Sequence, residues 1–291
     1  MPVHDDLGTR MKTYYEQIPK TKLMRRTPVI IRIDGKAFHT FTRGFKRPFD
    51  EILIKTMQET TKYLCENIQG CVLGYTQSDE ITLVLVDYQR FESSAWFDYE
   101  IQKICSISAS MATMAFNKFF RNNVENFIQD CATDYETQGL CGEGTIEYEL
   151  CKTYEKALEK GAMFDARVFN IPKEEVTNCL YWRQLDASRN SVQMVGQANF
   201  SHKELQNKTC SNIQDMLMEQ KGINWNDFPT HQKRGTCVIK EEYLPYDAAP
   251  GYEDCEINAL DYRTRWIIDT EIPIFKGDGR KYIDKLVYVG E

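Results

Sequence analysis

Nowhere in the 291 residues does an apolar run reach the about 18–20 positions that a membrane-crossing helix requires. The opening MPVHDDLGTRMKTYYEQ lacks the charged-then-apolar pattern of a secretory leader. A cytoplasmic protein without a membrane partner is expected. There is no internal repeat, no low-complexity tract and no Pro/Gly/Ser-rich linker, so the two halves should pack together without a hinge. Histidine is scarce, at four residues, and none of the ten cysteines forms a CxxC pair. Cys131, Cys141 and Cys151 recur every ten residues, which raises a zinc site, but the scarcity of close ligand pairs weighs against it. Reduced thiols acting as small hydrophobes fit the scatter better.

Hydrophobic residues make up 42% of the chain and charged residues 27%, the balance of a globular protein with ample surface to bury. The formal net charge of −7 argues against indiscriminate nucleic-acid binding. Three local clusters run against that average: Lys20, Lys22, Arg25 and Arg26; Arg43, Lys46 and Arg47; Lys233 and Arg234. Each alone reads as solvated surface, and together they outline a phosphate footprint.

The informative segments are two. Thr27 to Ile33 is a β-rich apolar run delivered into Asp34-Gly35, and the runs Cys71–Tyr75 and Ile81–Val86 flank Asp79-Glu80 as a hairpin. Between them, Asp50 to Ile68 has a helical apolar stripe (Leu53, Met57, Thr60, Leu64, Ile68), with Asp50 as N-cap and Gly70 past the end. A second helix is expected over Trp96–Phe120, its SISASMATMA segment small enough to pack closely on a sheet. A strand follows at Ala162–Asn170, helix from about 172, and β character again at Arg234–Lys240; the polar stretch 121–160 reads as loop and irregular helix. Strand, helix, strand, strand, helix, strand is the split βαβ of ferredoxin-like folds. The fold class expected is therefore α+β: a polymerase-type palm over residues 5–130, completed by a mostly helical C-terminal region over 131–291. In that topology the first and third strands are neighbours, which brings Asp34 to Asp79 and Glu80.

A strand-end aspartate beside a hairpin carboxylate pair is how nucleotidyl-transferring palms hold two divalent ions about 4 Å apart. Mg²⁺ takes hard oxygen ligands and keeps water and phosphate in its shell, so few carboxylates suffice. Asp34 and Asp79 are the expected bridging ligands. Gly35 has no side chain to obstruct ion or phosphate, Ser78 and Lys36 are placed to bind phosphate, and Glu80 to tune the ions or orient a ligand. Either segment alone would pass for an ordinary turn.

The series RIDGKAFHTF, GYTQSDEITLV, FDARVF, YWRQLDASRN and KRGT, in this order from about Asp6 to Thr236, resembles the tRNA(His) guanylyltransferase family and its guanylyltransferase-like relatives. The resemblance implies a 3′–5′ nucleotidyltransferase acting on the 5′ end of tRNA, with two Mg²⁺ ions and with ATP and GTP or another NTP as substrates. It implies catalytic Asp34, Asp79 and Glu80, and metal held by Asp34, the Gly35 carbonyl and Asp79. Nucleotide binding falls to Asp34, Gly35, Lys36, Ala37, Phe38, His39, Arg47, Ser78, Asp79, Lys103 and Asn190. Arg47 stands where the family commonly has Lys, and Glu100 where a second basic helix position is found. The His-Ile-Asn-Asn motif of the eukaryotic guanylyltransferases is matched here by Ser188-Arg189-Asn190-Ser191, which favours the guanylyltransferase-like branch and template-dependent 5′-end repair. A homo-oligomer, a tetramer, is implied as well. Two other readings share some of these residues: a palm enzyme making cyclic nucleotides from NTP alone, and a non-catalytic RNA-binding module.

Overall fold

The computed structural model describes residues 6–138, 144–243 and 263–290. Among them, six strands form one sheet in the order β4-β1-β3-β2-β5-β6. The strands are β1 (Val29–Gly35), β2 (Cys71–Gln77), β3 (Glu80–Leu85), β4 (Phe164–Asn170), β5 (Thr236–Tyr243) and β6 (Arg263–Asp269), every neighbouring pair antiparallel. The helices are α1 (Asp6–Met11), α2 (Phe38–Phe41), α3 (Glu51–Asn67), α4 (Ile101–Gln138), α5 (Ile146–Lys160), α6 (Lys173–Asn199), α7 (His202–Leu205), α8 (Cys210–Lys221), α9 (Thr230–Arg234) and α10 (Lys281–Val287). The first four strands and the α3 and α4 crossovers make the split βαβ core, α+β as the strand and helix pattern implies.

Alternation along β1 builds two cores. Ile31 and Ile33 face α3 and α4, where Met57, Leu64, Ile104, Phe116 and Phe120 close one apolar layer. Ile30 faces the other way, joining Val84, Val176 and Leu180 of α6 and Ile283 of α10. The small residues of α4 allow the close approach expected of them: Ser108, Ala112 and Ala115 are buried, and Thr113 Oγ1 accepts from the Phe164 amide at 3.2 Å where β4 begins.

Three boundaries differ from the sequence reading. α4 starts at Ile101, because Trp96–Tyr99 forms a 3₁₀ turn with Phe97 and Asp98 in left-handed backbone. The cause is the N-terminal segment, which crosses here: the Leu23 amide donates to the Tyr99 carbonyl and the Ile101 amide to the Thr21 carbonyl. Phe97 consequently stays on the surface, and the buried stripe of α4 runs through Phe116 and Phe120. The stretch 121–160 is helix for most of its length, since α4 continues to Gln138 and α5 begins at Ile146. Most of its described polar residues are exposed or half-buried, while Val124, Tyr154 and Ala157 are buried and Asn123 is buried against Thr56 and Glu59 of α3. Finally, β6 and its pairing with β5 extend the sheet to six strands; the sequence pattern had suggested only the β5 segment.

Gly74 sits in β2 directly under α3. A Cβ there would lie 2.5 Å from Cys65 Sγ and 2.7 Å from Thr61 Cγ2, and both neighbours are buried. Gly74→Ala is expected to destabilise the fold by about 1–3 kcal/mol through overpacking, read by urea unfolding; a wild-type midpoint would show that α3 yields.

Candidate active site

The site is assembled at one end of the β1/β3 ladder. Asp34 pairs with Glu80 across the strands, and directly opposed residues project from the same face. The hairpin joining β2 to β3 turns over Ser78-Asp79, with Ser78 in left-handed backbone at φ 50°. The Gly35 amide donates to the Asp79 carbonyl at 3.0 Å, tying the end of β1 to the turn. Ala37, at φ 53°, opens α2. Non-glycine residues in this region cost on the order of 1 kcal/mol each, and two of them bracket the carboxylates. Gly35 is needed for a second reason: a Cβ there would lie 2.3 Å from the Phe38 ring, which is locked among Phe41, Phe116 and Phe164.

Asp34 and Asp79 border a pocket of about 590 Å³. Its walls include Gly35, Ala37, Phe38, His39 and Ser78, and its rim carries Arg43, Lys46 and Arg47. Burial raises the Asp79 carboxyl above the ordinary carboxylate range; a hydrogen bond from Ser78 Oγ at 3.0 Å opposes the rise, and the Asp34 carboxylate adds to it. A cation beside the pair would relieve the repulsion that the Asp34 carboxylate adds at Asp79. Among the described residues no three His, Cys, Asp or Glu side chains converge to hold a metal. Two carboxylates and a main-chain carbonyl at Gly35 nonetheless fit a hard divalent ion that keeps phosphate and water in its shell.

Glu80 points to a different job from its neighbour. Arg183 of α6 donates from Nε to Glu80 Oε1 at 2.6 Å and from its terminal nitrogen to Asp186 Oδ2 at 3.0 Å. Burial raises the Glu80 carboxyl and Arg183 pulls it back. Glu80 thus fastens α6 to the carboxylate-bearing end of the sheet. The sequence pattern did not disclose this partner, because 103 positions separate Glu80 from Arg183.

The pocket rim depends on Asp50, the N-cap of α3. Its carboxylate accepts from the Leu53 amide at 2.9 Å, the Lys46 amide at 2.9 Å and the Tyr154 hydroxyl at 2.6 Å. Sequence reading found the cap but not its second role, which positions the basic loop.

Other expected residues are spread out. Lys36 is exposed just outside the pocket, its amide bonded to the Met163 carbonyl at 2.8 Å. Asn190 borders a smaller cleft of about 80 Å³ that shares Asp50, Leu53, Ser78 and Met194 with the main pocket. Lys103 is not brought to the pocket within this chain; it lies over the Phe97 ring, 4.9 Å from its centre, near the opposite end of the sheet. Of the three basic clusters, only Arg43, Lys46 and Arg47 reach the site. Lys22 is paired with Asp98, and Arg25 with Asp87 at 2.6 Å, while Lys233 is bonded to the Asn226 carbonyl. The first and third clusters are thus each engaged in part within the chain. Cys131 and Cys151 lie on α4 and α5, and Cys141 lies outside the described residues.

A palm-type sheet thus ends in two neighbouring carboxylates under a basic rim, and comparison with known proteins gives its family. The family model for Thg1, tRNAHis guanylyltransferase, matches residues 8–172. A bacterial tRNA(His) guanylyltransferase (Thg1)-like protein solved in complex with ATP is 39% identical, with a TM-score of 0.73 over 98% of this chain and 100% of its own. The same kind of bacterial protein in complex with GTP gives 38% and 0.71 over the same shares. The uncharacterized protein R259 of Acanthamoeba polyphaga mimivirus is 28% identical over 258 residues, 84% of this chain and 80% of that one. The chain belongs to the Thg1 family and is a nucleotidyltransferase.

Asp50→Ala removes the cap and leaves the Lys46 amide and Tyr154 hydroxyl without their acceptor, at a combined cost of about 2–4 kcal/mol. Asp50→Asn keeps the cap through its one amide oxygen but turns an NH2 donor toward the Lys46 amide, so it should recover the cap's share of stability and still bind nucleotide more weakly than wild type. Urea unfolding of both variants, with binding of a fluorescent nucleotide, checks this; wild-type nucleotide affinity in Asp50→Asn would deny Asp50 its positioning role.

Proposed function

We propose that the enzyme extends the 5′ end of a tRNA in the 3′–5′ direction, with Mg²⁺, activating the end with ATP and adding GTP or the NTP that a template strand selects. The observation that carries this reading is the pairing of Asp34 and Asp79 with the basic rim of Arg43, Lys46 and Arg47 in a single pocket. It offers carboxylates for cations and cations for phosphates, as in-line displacement at a triphosphate requires. The ATP and GTP complexes of the similar bacterial proteins support it.

Asp34, the Gly35 carbonyl and Asp79 would hold the ions, which when bound lower the pKa of the attacking hydroxyl and neutralise the leaving phosphate. Arg43, Lys46 and Arg47 receive the triphosphate; Ser78 stabilises the ionised form of Asp79, and Glu80 keeps its bond to Arg183. In the first displacement an oxygen of the RNA 5′-monophosphate attacks the α-phosphorus of ATP, and pyrophosphate leaves. In the second the 3′-hydroxyl of the incoming NTP attacks the activated 5′-phosphorus, and AMP leaves. A 5′-triphosphate end needs the second step alone, with pyrophosphate leaving.

Base selection follows from α6. At Ser188-Arg189-Asn190-Ser191, Arg189 is tied to Asp186 and Ser191 Oγ accepts from Trp225 Nε1 at 3.0 Å. Asn190, which borders the smaller cleft, is left to meet a base edge, and pairing across the acceptor stem chooses the nucleotide. Homotetrameric assembly belongs to the same reading and is measured by sedimentation.

The test is incubation of 5′-truncated tRNAs, carrying each of the four opposing nucleotides, with labelled NTPs and Mg²⁺. Addition should track the complement. Asp34→Ala and Asp79→Ala should each lower the rate by orders of magnitude while remaining folded. Guanylate added whatever stands opposite would refute templating, and product formed from NTP without RNA would make this a cyclic-nucleotide synthase.

A further inference from the structure

Beside the carboxylates, on the same face of the sheet, lies an open shelf. The register places Arg167, Arg32 and Thr82 side by side across β4, β1 and β3, one ladder step from the row of Asp165, Asp34 and Glu80. From α6, Trp182 leans over this row with 53% of its surface exposed. The Arg183 guanidinium carbon lies 4.5 Å from the indole centre and that of Arg32 5.7 Å.

Arg183 is engaged by Glu80 and Asp186 through two of its nitrogens. Arg32 is not: its Nε is the one buried side-chain nitrogen or oxygen among the described residues with no hydrogen-bond partner. Arg167 reaches Asp165 at 3.2 Å and is otherwise open. A ring held by cation–π contacts sacrifices little further freedom when a second flat group lies on it. Base–aromatic stacking of this kind tolerates any base, because each has a π-face. A protein partner would favour an apolar surround, whereas this indole is set among arginines and next to reacting carboxylates.

We infer that Trp182 is a stacking platform for a nucleobase at the reacting end of the RNA strand, holding that end against the Asp34–Asp79 edge. The assignment rests on the reading of RNA as substrate, and makes Trp182 a positioning residue.

The test uses the full chain with a 5′-truncated tRNA whose 5′-terminal base is 2-aminopurine, comparing wild type, Trp182→Ala and Trp182→Phe. Binding to wild type and to Trp182→Phe should quench the 2-aminopurine, and binding to Trp182→Ala should not. The RNA concentration for half-maximal single-turnover addition should rise about tenfold in Trp182→Ala, with the KM for NTP unchanged. An abasic 5′-terminal nucleotide should erase the difference between wild type and Trp182→Ala. The platform is overturned if Trp182→Ala binds and quenches like wild type, if the difference survives on abasic RNA, or if Trp182→Ala dissociates an oligomer that wild type forms, which would make this face a contact between copies. RNA that binds and is quenched without being extended would refute the proposed activity and leave the platform standing. Extension unaffected by Trp182→Ala would do the reverse, and a wild type that binds no RNA would overturn both.

Discussion

The antiparallel register of β1 against β3 is the constraint from which the site follows. Asp34 opposite Glu80 determines which carboxylates share a face, and the bond from the Gly35 amide to the Asp79 carbonyl extends that register into the turn. A slip of one residue would exchange every inward for every outward side chain. Asp34 would then enter the layer of Phe38, Phe116 and Phe164, and Ile33 would take its place in the pocket. The fully buried Ile31, Ile33, Ile81 and Leu83 make such a slip prohibitive, so the apolar core enforces the geometry of the charged edge.

The second dependence runs through α6. Its apolar residues Val176 and Leu180 settle on one sheet face, and Arg183 closes the contact with Glu80 at the end where the chemistry lies. A buried ion pair of this kind contributes little net stability, since desolvation offsets attraction, while loss of one partner leaves an uncompensated charge. Its effect is to specify where α6 sits. Asn190 and the smaller cleft inherit their position from it, as does Trp182 on the exposed side of the same helix.

Much of this was legible from local sequence. The strand-end Asp34, the hairpin at Asp79, the N-cap at Asp50 and the adjacency of the first and third strands each have a short-range signal: an apolar run ending in Asp-Gly, a two-residue turn, a capping carboxylate before a helical stripe. What escaped has a common cause. Glu80 with Arg183, Asp50 with Tyr154 and Arg25 with Asp87 are pairs across long loops, and charge pairing across such distances leaves no periodic trace. The same blindness hid the carboxylate partners of Lys22 and Arg25 within the Lys20–Arg26 cluster. Polar spacing made 121–160 look irregular, because a helix buried on a narrow stripe between neighbours has mostly polar positions.

Asp50 joins two parts of the molecule that otherwise have separate histories. Its carboxylate is shared by the amide of Lys46, on the pocket rim, and the hydroxyl of Tyr154, in the middle of α5. A ligand that steadies the rim therefore steadies α5 through one shared acceptor, and by thermodynamic reciprocity anything that loosens α5 weakens the ligand by the same factor. Amide exchange along α5 becomes a remote gauge of pocket occupancy, and the helical layer on the far side of the active site acquires a means of setting nucleotide affinity without touching the nucleotide.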